Sequence, residues 1–443
     1  MLGAAIMAMA LQVHAVADPT EVLARARDRF LASVRRLPNY TCLETVEQRY
    51  FTPRRLHKPP RSCAELIASR ADKPARLIPR ASDRLRLDVK VSEGVEIGSW
   101  PGAASFETGS IFGLTGGGPF YTGPLGTMLW DIFASVSRFQ YAGREPHGDR
   151  APLRYTFEVS AERSHSYINA GDSWIAVAYR GSIWIDPVSG DPQRVEAESN
   201  VLPGESHGCE TITTADYRRA PIGTGEFLVP LDSALHMLMT DESETEALTS
   251  WSACHQFVGE AKLLPDDESP PIGAAAAPHP APIALPPGLT VVLDFAAPLD
   301  TATAAAGDAI VLRVRKPVHD QQTKAVLVPA GAAVRCRIVR MRHMLASPRS
   351  FDIAILFQAL ETGGVYSPFY AQPAAKGNDP GSLDYGPRID ALLPQSAQGM
   401  SAASFSFETR RARYVVPQGY ESFWVTTAPP DRTTTDNPNN NVQ

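Results

Sequence analysis

The first residues, 1–11, are apolar almost throughout, and Ala15-Val16-Ala17 follows where the run stops. A short apolar run closed by a small-x-small site reads as a cleaved export signal, and it is too short to span a bilayer. A helix is predicted next. Asp18 is a good N-cap, Pro19 suits the first helical position, and Glu21 completes a capping-box pattern. Val22, Ala26, Phe30, Val34 and Leu37 then share one face, with Arg25, Arg27, Asp28, Arg35 and Arg36 spread over the rest. Pro38 ends it.

From residue 40 the period changes to two. Residues 40–50 read as a strand, and 51–79 as a long polar, basic excursion. Leu85, Leu87, Val89 and Val91 alternate with Arg84, Arg86, Asp88 and Lys90, which describes a half-buried strand. Further strands are predicted at 95–100, 153–159, 173–179, 182–186, 194–201, 211–217, 226–237 and 248–262, with a second short helix within 125–136. Strands that follow one another at short spacing build an antiparallel sheet. Residues 265–287 hold eight prolines and a four-alanine run, the composition of a semi-rigid spacer. Alternation then resumes through Leu289–Phe295, Ile310–Val314, Val326–Val328, Val334–Ile338, Phe351–Phe357, Phe405 and Phe407, and 413–425. The fold class is therefore mainly β, α+β in the first domain. A curved antiparallel sheet with one or two helices occupies 18–264 after a signal peptide over 1–17. A small β-barrel or sandwich follows at 288–428, and a Thr/Asn/Pro-rich disordered tail at 429–443.

Composition narrows the function. With 42 Lys and Arg against 48 Asp and Glu, the net charge of −6 gives no bias toward nucleic acid. No segment after residue 17 is apolar and long enough for a transmembrane helix. Five cysteines in an exported chain point to disulfides. Cys42, Cys63, Cys209 and Cys254 are the expected participants. The nearest pairing in sequence joins Cys42 to Cys63 and Cys209 to Cys254, although sequence alone leaves connectivity open. Cys336, flanked at two-residue spacing by Val334 and Ile338, is expected as a buried, inert thiol.

Two stretches resemble known families. Tyr179-Arg180-Gly181-Ser182-Ile183-Trp184-Ile185-Asp186 followed by Gln193-Arg194-Val195-Glu196 resembles the lipoprotein-carrier (outer-membrane lipoprotein-sorting) half-barrel, over roughly 18–262. The opening Leu37-Pro38-Asn39-Tyr40-Thr41-Cys42 is also similar to exported proteins of soil bacteria. The carrier resemblance implies a curved sheet with helices in its concavity that holds acyl chains, and no catalytic residues. Leu285-Pro286-Pro287-Gly288, Leu299-Asp300-Thr301-Ala302-Thr303, Gly307-Asp308 and Val328-Pro329-Ala330-Gly331-Ala332 resemble the small barrel of TrbI-type conjugation proteins, which implies an envelope scaffold.

The chemistry-bearing residues favour no reaction. Trp100, Trp130, Tyr155 and Trp184, with Trp174, are the candidates to line an apolar ligand pocket; aromatics on strands are otherwise plain core. His207, Cys209, Cys254 and His255 hold zinc-ligand types at spacings that suit disulfides better. The glycine-rich stretch 113–126 lacks the Gly-Lys-Ser/Thr of a phosphate loop. His165, Ser166 and Asp172 lack a nucleophile-elbow pattern. The basic residues from Arg54 to Lys90 suit anionic head groups or a solvated loop. The expectation is a non-catalytic periplasmic or secreted protein without a cofactor, binding an apolar or lipid-like ligand or an envelope protein. The alternatives are a secreted hydrolase acting on envelope polymer and a purely structural module.

Overall fold

In a computed structural model of the 443-residue chain, the described residues are 18–72, 77–92, 95–102, 106, 128–136, 138–145, 151–170, 173–257, 282–346, 349–374, 402–408 and 413–429. The expected export signal, the glycine-rich stretch, most of the expected spacer and all but the first residue of the expected tail lie outside them.

Asp18 accepts the Thr20 backbone N–H at 2.8 Å, and helix α1 (Pro19–Val34) begins at Pro19, where the capping signal puts it. The first half continues as β1 (Tyr40–Pro53), α2 (Cys63–Asp72), β2 (Leu77–Ser92) and β3 (Val95–Ser99). A short helix α3 (Met128–Trp130) runs directly into a π turn (Asp131–Ser135), inside the expected 125–136. The strands β4 (Gln140–Arg144), β5 (Leu153–Val159), β6 (Tyr167–Ala170), β7 (Ser173–Ala176), β8 (Tyr179–Ile185), β9 (Pro192–Ser199), β10 (Gly208–Ile222), β11 (Gly225–Met239) and β12 (Glu244–Gln256) follow. Their order across the sheet is β4-β5-β8-β9-β10-β11-β12-β1-β2-β3, antiparallel at every step, while β6 and β7 form a separate hairpin.

Register explains why alternation was readable. One row of direct cross-strand partners runs Tyr155, Ile183, Val195, Ala215, Ser233, Thr249, Val46 and Leu85 across eight strands. All eight lie on one face, which carries the core. A row on the opposite face runs Glu158, Arg180, Glu198, Ile212, His236, Glu246 and Arg49. There Arg180 meets Glu198 at 2.6 Å, His236 meets Glu246 at 3.2 Å and Arg49 meets Glu246 at 3.2 Å. Opposite charges placed directly across a ladder support the pairing and keep this face wet.

The second half contains β13 (Thr290–Phe295), β14 (Leu299–Asp300), β15 (Ala309–Val314), β16 (Val318–His319), β17 (Val326–Val328) and β18 (Ala333–Met344). It ends with β19 (Ser350–Thr362), β20 (Val365–Ser367), β21 (Ala371–Pro373), β22 (Ala402–Glu408), β23 (Val415–Val416) and β24 (Glu421–Thr426). The order is β21-β24-β13-β15-β18-β19, with β22 and β20 on opposite ends of β19. Leu293, Leu312, Val334, Cys336, Ile353 and Trp424 fill its core. Cys336 is buried and free as expected, and burial pushes its thiol well above the ordinary range.

The mainly β, antiparallel class holds, but of the expected small β-barrel or sandwich a closed barrel does not form: β18 pairs with β2 and makes one 18-stranded sheet. Alternation tells which residue faces a core, not which edge finds which partner. β2 spans 16 residues and β3 only 5, so β3 covers Asp88–Ser92 and leaves the start of β2 with an open edge. β18 takes that edge through Arg342, His343 and Met344, opposite Asp83, Ser82 and Ala81. Arg342 grips Asp83 with two 2.7 Å bonds, and the Arg86 N–H donates to the Ala306 carbonyl at 2.7 Å. Gly307 sits at φ +104°, where a Cβ would stand 2.1 Å from the Arg86 carbonyl oxygen, so only glycine permits this approach. A further apolar cluster is shared by the two halves. Ala306, Val339, Ala354 and Leu356 of the second half pack with Leu85, Leu87, Val89, Trp100 and Trp251 of the first.

The pairing of cysteines differs from the nearest-neighbour expectation. Cys42 bonds Cys254 and Cys63 bonds Cys209. Cys42 lies on β1, whose ladder partner is β12, so Cys254 is adjacent across the sheet with a Cα–Cα distance of 4.0 Å. Cys63 lies on α2, an element absent from the expected 51–79 excursion, and α2 folds against β10. Its signal was present in Ser62-Cys63-Ala64-Glu65, a capping box in which Ser62 N–H donates to Glu65 at 2.8 Å and Glu65 N–H returns to Ser62 Oγ at 3.3 Å. With both Cys209 and Cys254 oxidised, the zinc constellation does not form. Part of the basic stretch is held in ion pairs: Arg61 with Glu242, Arg70 with Glu210, Arg84 with Glu47 and Arg86 with Asp308.

Two outcomes follow. Replacing Cys42 and Cys254 by serine removes a crosslink between residues 212 apart and lowers unfolding free energy by about 3–5 kcal/mol in urea titration, and a non-reducing peptide map recovers the 42–254 pair. At the seam, His343 stacks on Phe351 with centroids 4.1 Å apart, and its Nε2 is buried without a partner among the described residues. Burial, with Arg349 adding to it, holds this imidazole below its ordinary range. The unfolded chain therefore takes up the proton first, and stability falls as pH drops below about 6.5 toward the lower folded value. Urea midpoints for His343→Gln lose that acid slope.

Candidate functional site

The face beneath α1 is the strongest candidate. Its floor is built from alternate residues of four neighbouring strands: Tyr155 and Phe157 on β5, Tyr179 and Ile183 on β8, Val195 and Ala197 on β9, Ala215 and Tyr217 on β10. Its cover is α1 together with α3 and the π turn, which contribute Val22, Ala26, Met128, Leu129, Ile132 and Phe133. An aromatic seam runs along the edge of the cover, with Phe30 and Phe133 centroids 5.2 Å apart and Phe133 and Phe139 6.4 Å apart. Phe30 and Phe139 are only partly buried.

The two parts of the cover are held differently. The π turn is fixed through Asp131, which is 1% exposed. Its carboxylate accepts the His165 backbone N–H at 2.7 Å and the Tyr179 hydroxyl at 3.2 Å, and the His165 Nδ1 lies 2.5 Å away. This ties the turn to the start of β8. In contrast, α1 has 16 residues, of which only Val22 and Ala26 are buried. Its polar anchors converge on one loop: Arg25 donates to the Pro187 carbonyl at 2.7 Å, and Arg29 donates to the Ser189 carbonyl. Tyr155 adds a 2.7 Å bond from its hydroxyl to the Pro19 carbonyl. Burial, with Tyr141 and Asp18 nearby, pushes the Tyr155 phenol up to about 12, so it stays a neutral donor.

The loop that receives α1 is itself rigid. Asp186 accepts the Val188 and Ser189 backbone N–H groups at 2.8 and 2.9 Å, and Arg219 clasps Asp191 at 2.6 and 2.7 Å. Gly190, at φ +73°, completes the turn. In sequence this stretch reads only as a tight connection. Its docking role was signalled by Arg25 and Arg29, one helical turn apart on α1.

The aromatic candidates are not gathered at one place. Tyr155 is on the floor. Trp100 belongs to the cluster shared by the two halves, and Trp130 is 41% exposed. Trp184 points to the opposite face, where its indole donates to Glu145 and Arg154 lies 5.4 Å from its ring. Asp172, weighed with His165 for catalysis, lies outside the described residues, and His165 serves Asp131 instead. A depression of about 810 Å³ on the outer face is lined by Arg138, Arg154, Glu158, Arg180, Glu196 and Glu198. Its Arg180 and Arg154 already pair with Glu198 and Glu145, which makes it a wet, charge-compensated surface.

No protein-family model and no curated protein matches the chain. Solved structures similar to it include a putative outer membrane lipoprotein-sorting protein domain from Vibrio parahaemolyticus, at 11% identity and a TM-score of 0.24, covering 53% of this chain and 90% of that one. A LolA-superfamily protein from Nitrosomonas europaea is 11% identical with a TM-score of 0.23, over 56% and 94% of the two chains. The lipoprotein LppX of Mycobacterium tuberculosis is 11% identical with a TM-score of 0.20, over 55% and 99%. None of the three is named as a TrbI-type protein. Similarity at this level leaves the chain's own geometry as the ground for its function.

The Asp131 anchor has a measurable consequence. Asp131→Ala strands buried donors and costs about 2–4 kcal/mol in urea unfolding, while Asp131→Asn, which keeps an acceptor, costs less than half of that.

Proposed function

We propose that the chain is a non-catalytic, exported binding protein that takes an apolar, lipid-like ligand on the face covered by α1. One observation carries this reading: an aromatic and aliphatic floor spanning four strands is covered in part by a 16-residue helix with two buried side chains. Leaving costs this helix two buried side chains and the partial burial of Leu23 and Phe30, with no strand ladder to break. Its departure uncovers Phe30, Phe133 and the floor to a chain of methylenes, each worth about 0.8 kcal/mol on burial. The floor offers apolar walls with a single polar handle, the Tyr155 hydroxyl now held by Pro19. Two disulfides support an oxidising compartment outside the cytoplasm.

The test is a titration of the mature chain with cis-parinaric acid, whose fluorescence rises in apolar surroundings. Saturable binding at one molecule per chain is expected. Arg25→Ala combined with Arg29→Ala releases the helix from its loop and tightens binding about ten-fold. Folded protein that binds nothing in either form contradicts the proposal and leaves a structural module with a self-filled interior.

A further inference from the structure

Residues 54–60 connect β1 to the segment before α2, and every one of them is exposed. They include Arg54, Arg55 and Lys58, which have no carboxylate partner among the described residues, and Leu56, which is 65% exposed. In a chain of net charge −6 this is a local concentration of free cations around one bare aliphatic side chain.

The register places more charge at the same end of the sheet. Pro53 pairs with Leu77, so the start of β2 lies beside the tip, and Arg80 there is exposed. The Leu345 N–H donates to the Arg80 carbonyl at 2.7 Å, which brings the β18–β19 connection alongside with exposed Arg349. Five exposed cations from both halves thus share one pole. The exposed acid on the neighbouring β11–β12 turn is Asp241, which accepts from Ser243.

The tip is held in place from behind. Glu242 on that turn accepts Arg61 at 2.9 Å and His57 at 2.8 Å. Against the burial that would raise it, these two partners hold its carboxyl below the usual range. The Cys63–Cys209 bond and Leu66, packed on Leu238, fasten the next turn. Arg54 to Lys58 therefore project from a clamped base.

We infer that this pole docks the protein on an anionic lipid bilayer, with Arg54, Arg55 and Lys58 at the head groups and Leu56 dipping below them. A soluble polyanion would be served by the charges alone. Leu56, set among the charges, adds apolar area that an anionic bilayer takes up and a soluble polyanion does not. Arg80 and Arg349 widen the contact, so the sheet stands on its end at the membrane with α1 facing sideways. The inference does not depend on the apolar-ligand reading, because no residue of the pole belongs to the floor or its cover.

Co-sedimentation of the full mature chain with phosphatidylcholine vesicles, with and without about one-third phosphatidylglycerol, provides the test. Binding is expected only with phosphatidylglycerol at about 0.1 M salt, and it is expected to disappear at about 1 M, where charges are screened within a few Å. Each cation contributes about five-fold in affinity, so Arg54→Ala, Arg55→Ala and Lys58→Ala together lose about 100-fold. Leu56→Ser loses about ten-fold. All four positions are exposed, so these variants keep the fold, and their cis-parinaric acid titration stays unchanged. Failure here with intact fatty-acid binding overturns the docking inference alone. Equal binding to both vesicle types, or none to either, overturns it. So does polyphosphate binding as tight as vesicle binding together with an unaffected Leu56→Ser variant, which assigns the pole to a soluble polyanion.

Discussion

A ten-stranded antiparallel sheet with one apolar face has to bury that face, and the rest of this structure is organised by how it does so. At the β1–β2 end the cover is the second half of the chain. Ala306, Val339, Ala354 and Leu356 close over Leu85, Leu87 and Val89, and the β2–β18 ladder, the Arg342–Asp83 fork and the Arg86 contacts seal the seam. At the β5–β8 end the cover is α1 with α3 and the π turn. Burial of apolar area drives both closures. They differ in what would have to be broken to reverse them.

Opening the first end would break a ladder, several charge-assisted bonds and a shared core. Opening the second along α1 exposes Val22 and Ala26, the partly buried Leu23 and Phe30 and the floor beneath them, and breaks a few bonds to one loop and to Tyr155, with no ladder among them. Elements that move for ligands come from the weakly held part of a structure. That asymmetry is why the binding face is assigned to α1 rather than to the seam. The disulfides agree with it: Cys42–Cys254 and Cys63–Cys209 both fasten the β1, β10 and β12 region, and neither reaches α1. The cation pole lies on that fastened region too, so contact with a membrane and movement of the helix engage separate parts of the molecule.

Much of the architecture was legible in the sequence because its signals are local. The Asp18-Pro19 cap, the alternation at Leu85–Val89 and Leu153–Val159, and the buried Cys336 follow from neighbours within a few residues. What depends on distant partners was not. The open edge of β2 follows from its excess length over β3, which no alternation pattern reports. The cystine pairing follows from β1 lying beside β12, which brings Cys254 rather than Cys63 next to Cys42. Trp184 lies one position off the inward register, so its size suggested a pocket while its parity placed it on the wet face beside Arg154. Of the candidate site, only Tyr155 was read directly. The docking loop at 187–191 appeared as a turn because the helix it receives is about 160 residues earlier in the chain.

The account stands or falls on α1 being a cover that opens without unfolding the sheet. Native-state hydrogen exchange of the mature, oxidised chain measures this directly, peptide by peptide. Amides of Val22–Val34 are expected to exchange through a local opening, at a free energy well below that of β5 and β8, and to be the amides that respond when a fatty acid is added. If α1 exchanges only with global unfolding, at the same free energy as the strands beneath it, the helix is a fixed part of the core and the central claim is wrong.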